Sequence, residues 1–194
     1  MAEPVLLMLS GPSGVGKTTA ARRLLKENPK LTRAVTCTTR DPREGEVNGV
    51  DYHFLDEQEF VSRINAGKFL EHAEVYGNRY GTMIEAVRSR LDDGLDVLLV
   101  NDVQGAEAVC KLACKDEQLG QALVTVYLVT DGVGELRRRL IEHGLDDISV
   151  IDERLQTAQS EIDRANEFDY TVISGSKDED WRVVQEIYIA GHKI

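Results

Sequence analysis

Val5-Leu6-Leu7-Met8-Leu9, then Gly11-Pro12-Ser13-Gly14-Val15-Gly16-Lys17-Thr18, then the helix-forming run from Thr19 to Lys26, decide the architecture of this chain. A short apolar strand runs into a Gly-x4-Gly-Lys-Thr loop and on into a helix, the setting in which that spacing is a phosphate loop. Glycines let backbone N–H groups turn inward around an anion, and the helix adds its positive end. Lys17 is placed to reach the outer phosphates, and the Thr18 hydroxyl to sit on Mg2+. Residues Gly11 to Thr19 are therefore the expected binding segment for a nucleoside triphosphate.

Working outward, the flanking segments alternate between strand and helix. Leu95–Val100 and Ala122–Val129 are near-continuous apolar runs that read as buried parallel strands. Tyr170–Ile173 reads as a last strand. Helices are expected over Val103–Lys115, Val133–His143, Ser149–Glu167 and Asp178–Ala190. The last turns Trp181, Val184, Ile187 and Tyr188 inward. Gly144–Ile148 is a polar break. This alternation predicts an α/β fold, a parallel sheet flanked by helices, with ligands beyond the carboxyl ends of the strands.

The rhythm breaks between residues 36 and 90. Arg33–Thr38, Tyr52–Leu55 and Phe69–Tyr76 read as strands. Asp56 and Glu59 form a capping-box pattern for a helix that ends at Gly67, and Thr82–Asp93 reads as a second helix stopped by Gly94. The expectation is a small mixed α/β module inserted into a core of residues 1–35 and 91–194, with a helical lid near 137–154.

The 194 residues suit one such domain, and 42% hydrophobic content excludes a disordered chain. A net charge of −11 argues against general nucleic-acid binding. The odd count of three cysteines, Cys37, Cys110 and Cys114, fits a reducing compartment. Cys110 and Cys114 share a helix face, where core filler is the plainer reading than a metal site. No apolar run approaches the ~20 residues of a membrane span. The start lacks the features of a signal peptide, so the expected location is the cytoplasm.

A second motif lies in Thr38-Thr39-Arg40-Asp41-Pro42-Arg43-Glu44-Gly45-Glu46-Val47-Asn48-Gly49-Val50-Asp51-Tyr52-His53-Phe54-Leu55. Two arginines three apart beside a tyrosine can clamp a phosphate through bidentate forks. From the spacing alone a charged surface turn explains the segment equally well.

This segment resembles the guanylate kinase signature at every position. So do the phosphate loop, Phe69-Leu70-Glu71-His72-Ala73-Glu74, Gly77-Asn78-Arg79-Tyr80-Gly81-Thr82, Asp102-Val103-Gln104-Gly105 and Arg154-Leu155. The resemblance spans about residues 5 to 190 and implies transfer of the γ-phosphoryl of ATP to GMP. It implies that Arg40, Arg43, Tyr52 and Tyr80 hold the GMP phosphate. Glu71 would accept from the ring N–H and exocyclic amine of guanine, and Thr36 and Thr82 would help hold the base. Asp102 would serve Mg2+ or its waters beside GMP. Lys17, Mg2+ and the lid arginines Arg139 and Arg154 would neutralise developing charge. No general base is needed, because a phosphate monoester with a second pKa of about 6 is largely ionised at neutral pH.

Three positions depart from the family pattern. His143 stands for a lid arginine, Val100 for an acidic residue two before Asp102, and Ser174 for an asparagine that helps read adenine. Two other readings stay open: a GMP-binding interaction module with weak or no kinase activity, and a kinase for another phosphorylated acceptor.

Overall fold

A computed structural model describes residues 3–75, 77–143, 151, 155 and 162–192. The large sheet has five strands: β1 (Leu6–Ser10), β2 (Leu31–Arg33), β7 (Asp96–Val100), β8 (Leu123–Val129) and β9 (Tyr170–Ile173). Their spatial order is β2-β7-β1-β8-β9 and every pairing is parallel. β1 lies at the centre with all five residues buried, which is why Leu6 to Leu9 is continuously apolar rather than alternating.

The two faces of β1 feed two cores. Leu7 and Leu9 pack with Leu24 of α1 (Lys17–Glu27) and with Val184, Ile187 and Tyr188 of the C-terminal helix Lys177–Gly191, called α7 below. Leu6 and Met8 point the other way. They meet Val87 and Leu91 of α3 (Ile84–Asp92), Val109 of α4 (Val103–Ala113) and Leu119 of α5 (Glu117–Ala122). The strand period of two thus puts a helical layer on each face. Cys110 borders this second core, whereas Cys114 is exposed, so only one of the pair fills space as expected.

A second sheet has the order β4-β3-β6-β5, built from β3 (Cys37–Thr38), β4 (His53–Phe54), β5 (Phe69–Val75) and β6 (Asn78–Met83). It is mixed: β3 and β4 run parallel, while β6 is antiparallel to both β3 and β5. Helix α2 (Glu57–Asn65) closes its own small core, with the Phe60 and Phe69 rings stacked at 4.5 Å between centroids. Asp56 caps α2, accepting from the Glu59 N–H at 2.7 Å. Glu59 turns to Arg63 one turn on, so only one arm of the anticipated capping box forms.

Several boundaries differ from the sequence expectation. The stretch Arg33–Thr38 is two strands, β2 in the large sheet and β3 in the small one, because residues 34–36 carry the chain between sheets. The expected helix from Thr82 starts at Ile84, since Asn78–Met83 is drawn into pairing with β3 and β5. Helix α5 was not anticipated; Asp116 nucleates it by accepting from the Leu119 N–H. Helix α6 spans Val133–His143 as expected. Of the long helix expected from Ser149, Ile151, Leu155 and Ile162 are helical and Asp163–Glu167 is a 3-10 turn. The remainder of that helix and the polar break 144–148 lie outside the described residues.

At the N-terminal ends of the strands, Asp96 is buried at 2% exposure. Its Oδ1 accepts from the Val5 N–H at 2.8 Å, and its Oδ2 accepts from Tyr188 Oη–H at 2.5 Å and lies 3.0 Å from His192 Nε2. One carboxylate thereby ties the first strand to the last helix.

Candidate active site

The site forms at the opposite, C-terminal ends of the strands. As β1 ends, Gly11 adopts φ 138, and a Cβ there would stand 2.1 Å from the Leu128 carbonyl oxygen of β8. Only glycine allows the loop to cross the neighbouring strand this closely. Val15 is fully buried in the core and pins the middle of the loop. Lys17 Nζ donates to the Gly11 carbonyl at 2.5 Å and to the Pro12 carbonyl at 3.0 Å, which holds the ammonium across the loop at the head of α1.

Two clefts open on either side of that helix start. Thr18 faces the first, of about 400 Å³, and Thr19 faces the second, of about 420 Å³. Consecutive residues on a helix point about 100° apart, so adjacent threonines serve different walls.

The first cleft lies between the two sheets. The small sheet supplies Glu71, Tyr80 and Thr82, Tyr52 stands just before β4, and Thr36 lies on the crossing between sheets. The core supplies Arg22, Arg33, Asn101 and Asp102. Glu71 sits opposite Thr82 in the β5–β6 ladder. Burial pushes the Glu71 carboxyl above its ordinary range, and the nearby Asp102 charge adds to this. Donation from Thr82 and from the Asn101 amide opposes it. Asp102 caps α4, its Oδ1 accepting from the Gly105 N–H at 2.7 Å.

The arginines of the second motif are organised by one carboxylate. Glu46 accepts from Arg40 Nη2 at 2.8 and 3.0 Å and from the backbone N–H of Arg43 at 2.7 Å. The Arg40 guanidinium lies 5.5 Å from the Tyr52 ring, and the Tyr52 and Tyr80 rings are 6.3 Å apart. Arg40, Tyr52 and Tyr80 therefore converge. Arg43 joins them through its backbone, and its guanidinium has no carboxylate at ion-pair distance among the described residues.

The second cleft lies between the loop, α6 and the segment that follows β9. Arg139 dominates it. Its Nε donates to Glu135 Oε1 at 2.8 Å. Nη1 donates to the Val15 carbonyl at 3.1 Å and to Ser174 Oγ at 2.6 Å. Nη2 donates to the Ser174 and Gly175 carbonyls, both at 3.0 Å. A guanidinium has five N–H groups, and all five are engaged. Arg139 thus braces the loop against the segment that follows β9. Arg154, expected beside it, lies outside the described residues. His143 ends α6. Val100, 40% exposed, ends β7 on the rim of the first cleft.

Sequence reasoning did not single out Arg22, Arg33 or Asn101 as cleft residues. Arg22 follows Thr18 by four positions and so shares its helix face, a signal that could have been used. Asn101 was legible as a polar residue closing an apolar strand. Arg33 carried no such mark, because its position depends on β2 pairing with β7.

The sequence profile of the family described as guanylate kinase matches residues 3–190. The chain belongs to the guanylate kinase family. It is 42% identical over 185 residues to a guanylate kinase of Wolbachia pipientis wMel, covering 95% of this chain and 88% of that protein. It is 38% identical over 186 residues to one of Clostridium perfringens SM101, covering 96% and 83%. The crystal structure of the guanylate kinase from Anaplasma phagocytophilum superposes with a TM-score of 0.74 at 30% identity, over 100% of this chain and 89% of that one. A gluconokinase from Sinorhizobium meliloti superposes with a TM-score of 0.54 at 14% identity, a likeness of fold alone. This guanylate kinase family member is a phosphotransferase with an intact phosphate loop between its two clefts.

Proposed function

We propose that the protein transfers the γ-phosphoryl group of ATP to GMP, releasing ADP and GDP. The observation that carries this reading is the phosphate loop and the start of α1 shared by the two clefts, with Thr18 on the first and Gly14, Gly16 and Thr19 on the second, so that one phosphate chain and one phosphate acceptor can meet at the head of α1. The second cleft takes ATP, its phosphates wrapped by Gly11 to Thr19. The first takes GMP.

In the first cleft Glu71, as the carboxylate, accepts both the ring N–H and the 2-amino group of guanine. Adenine presents a ring acceptor there instead and is repelled. Thr36 and Thr82 lie beside it to hold the base. Arg40 and Arg43, with the Tyr52 and Tyr80 hydroxyls, hold the acceptor phosphate. A phosphate oxygen of GMP attacks in line, and Lys17 neutralises charge on the transferring group. Residues 36–90 act as the GMP-binding module, and residues 1–35 and 91–194 as the core. The stretch near 137–154 is assigned the lid role that the family resemblance implies, with Arg154 as a further cation for the transferring group.

Thr18 and Asp102 suit Mg2+. Both are oxygen donors on the same cleft, and among the described residues no cluster of three His, Cys, Asp or Glu side chains forms a closed metal cage. Mg2+ favours such open sites, keeping several waters and sharing the nucleotide phosphates. When bound it supplies charge neutralisation between the phosphates. The free cysteines Cys37, Cys110 and Cys114 support a reducing, cytoplasmic setting, and no described helix is long and apolar enough to cross a membrane.

The test is ADP release with ATP, Mg2+ and each of GMP, AMP, CMP and UMP. Turnover with GMP alone is expected. GMP binding by calorimetry without turnover would make the protein a binding module.

A further inference from the structure

Among the described residues, the polar groups that follow β9 on the second cleft are engaged with one another or with Arg139. Arg139 occupies the Ser174 and Gly175 carbonyls and the Ser174 hydroxyl oxygen. Ser174, 4% exposed, directs its one hydroxyl proton at Asp180 Oδ2, 2.5 Å away. Asp180 Oδ1 accepts the Gly175 N–H at 2.8 Å. The Ser176 hydroxyl and the Glu179 carboxylate bond each other in the capping box of α7. The backbone and side-chain groups that follow β9 are therefore committed to holding the cleft's shape.

Resting on the assignment of the second cleft to the donor nucleotide, we propose that this cleft does not read the donor base, so that GTP serves as phosphoryl donor alongside ATP. Discrimination between bases by hydrogen bonds needs a buried group that the wrong base leaves unpaired. Here, among the described residues, the buried groups that follow β9 are paired before any base arrives. The exposed groups that remain do not distinguish purines. The Glu142 carboxylate, held by Arg138 at 2.5 Å, is exposed, so water rather than the base satisfies it and, unlike the buried Glu71, it loses little against an unmatched purine edge. Lys177 can donate to N7 of either. The planar Arg139 guanidinium in the cleft wall offers a stacking surface that tolerates any base. With GTP, the bond between the γ-phosphorus and its bridging oxygen breaks, a GMP phosphate oxygen bonds that phosphorus, and two GDP leave.

The experiment measures kcat/KM for ATP and for GTP with GMP saturating, so that the acceptor cleft is occupied. Dissociation constants for the β,γ-imido analogues of both donors are measured in parallel by calorimetry. A ratio of about tenfold or less in both measurements is expected from a site without paired base contacts. A larger preference for ATP overturns the proposal. Absence of GMP-dependent turnover with either donor would defeat the kinase reading, and the analogue affinities would still decide base tolerance.

Discussion

Arg139 donates to the Ser174 hydroxyl at 2.6 Å and to the Ser174 carbonyl at 3.0 Å, joining α6 to the end of β9 under the phosphate loop. The same guanidinium reaches the Val15 carbonyl, so one side chain fixes three segments of the second cleft. Arg139→Lys keeps the charge and loses the fork. It leaves partly buried acceptors unpaired, at a cost of about 2 kcal/mol. The expected result is a fall in melting temperature of roughly 4–8 °C for a chain this size. KM for ATP rises while KM for GMP stays unchanged. Equal rises in both KM values would show that the brace serves the whole site.

Lys17→Ala removes the ammonium that spans the loop. Transfer is expected to fall by about 10²–10³-fold or more in kcat, the scale for losing one transition-state charge partner. GMP affinity, measured by calorimetry, should stay near that of the parent protein, because the acceptor cleft is built from other residues. Near-parental kcat in this variant would remove Lys17 from the transfer step.

Glu71→Gln replaces two acceptor oxygens by one oxygen and one N–H₂ group. The ratio of kcat/KM for GMP over AMP is expected to drop by about two orders of magnitude. An unchanged ratio would place base reading elsewhere in the first cleft.

The pH dependence of GMP binding follows from the same carboxyl. Burial, with help from the Asp102 charge, raises its pKa, so the proton returns at a higher pH than for an ordinary glutamate. Since the charged form is the double acceptor, KM for GMP should climb as pH falls through that raised value and be flat above it. Glu71→Gln should abolish this limb of the profile while leaving the rest. The folded state holds this proton more tightly than the unfolded chain. The group's contribution to stability therefore declines as pH rises from the ordinary glutamate range through the raised value.

Arg22 and Arg33 line the first cleft, and no carboxylate lies at ion-pair distance from either among the described residues, in a chain of net charge −11. Many other arginines here pair with acids, among them Arg23, Arg40, Arg79, Arg88, Arg138 and Arg164. Two open cations at the mouth of an anion's cleft draw the acceptor in and make its capture salt-sensitive. The double variant Arg22→Gln/Arg33→Gln should lower kcat/KM for GMP severalfold at low ionic strength, with little change in kcat. It should also flatten the dependence on salt. Identical salt slopes in variant and parent would exclude this role.

The readable part of the fold was what local chemistry dictates. The Gly-x4-Gly-Lys-Thr loop, the buried runs at residues 95–100 and 122–129, and the glycine stops at Gly67 and Gly94 all act through neighbours in the chain. Strand β6 escaped because Asn78–Met83 has no apolar alternation of its own and is held by partners on both sides. The division of Arg33–Thr38 between two sheets depends on which distant strand each half meets. In the site, the residue types of the acceptor cleft were legible through the second motif. The role of Arg139 was not, because its acceptors lie 4 to 124 residues away along the chain. At Ser174 the departure from the family's asparagine was legible, but its contacts were not. Its burial shows a hydroxyl already spoken for.

The Asp96 carboxylate, bonded to Val5, Tyr188 and His192, sits at the end of the sheet that faces away from both clefts. Durability and chemistry are therefore handled at opposite poles of the same strands. Substitutions around Asp96 can lengthen or shorten the lifetime of the folded chain with turnover per folded molecule left intact. The acceptor and donor clefts can diverge in specificity while that distal knot keeps the sheet together. The protein carries a separate handle for persistence, open to drift or to engineering without renegotiating the reaction.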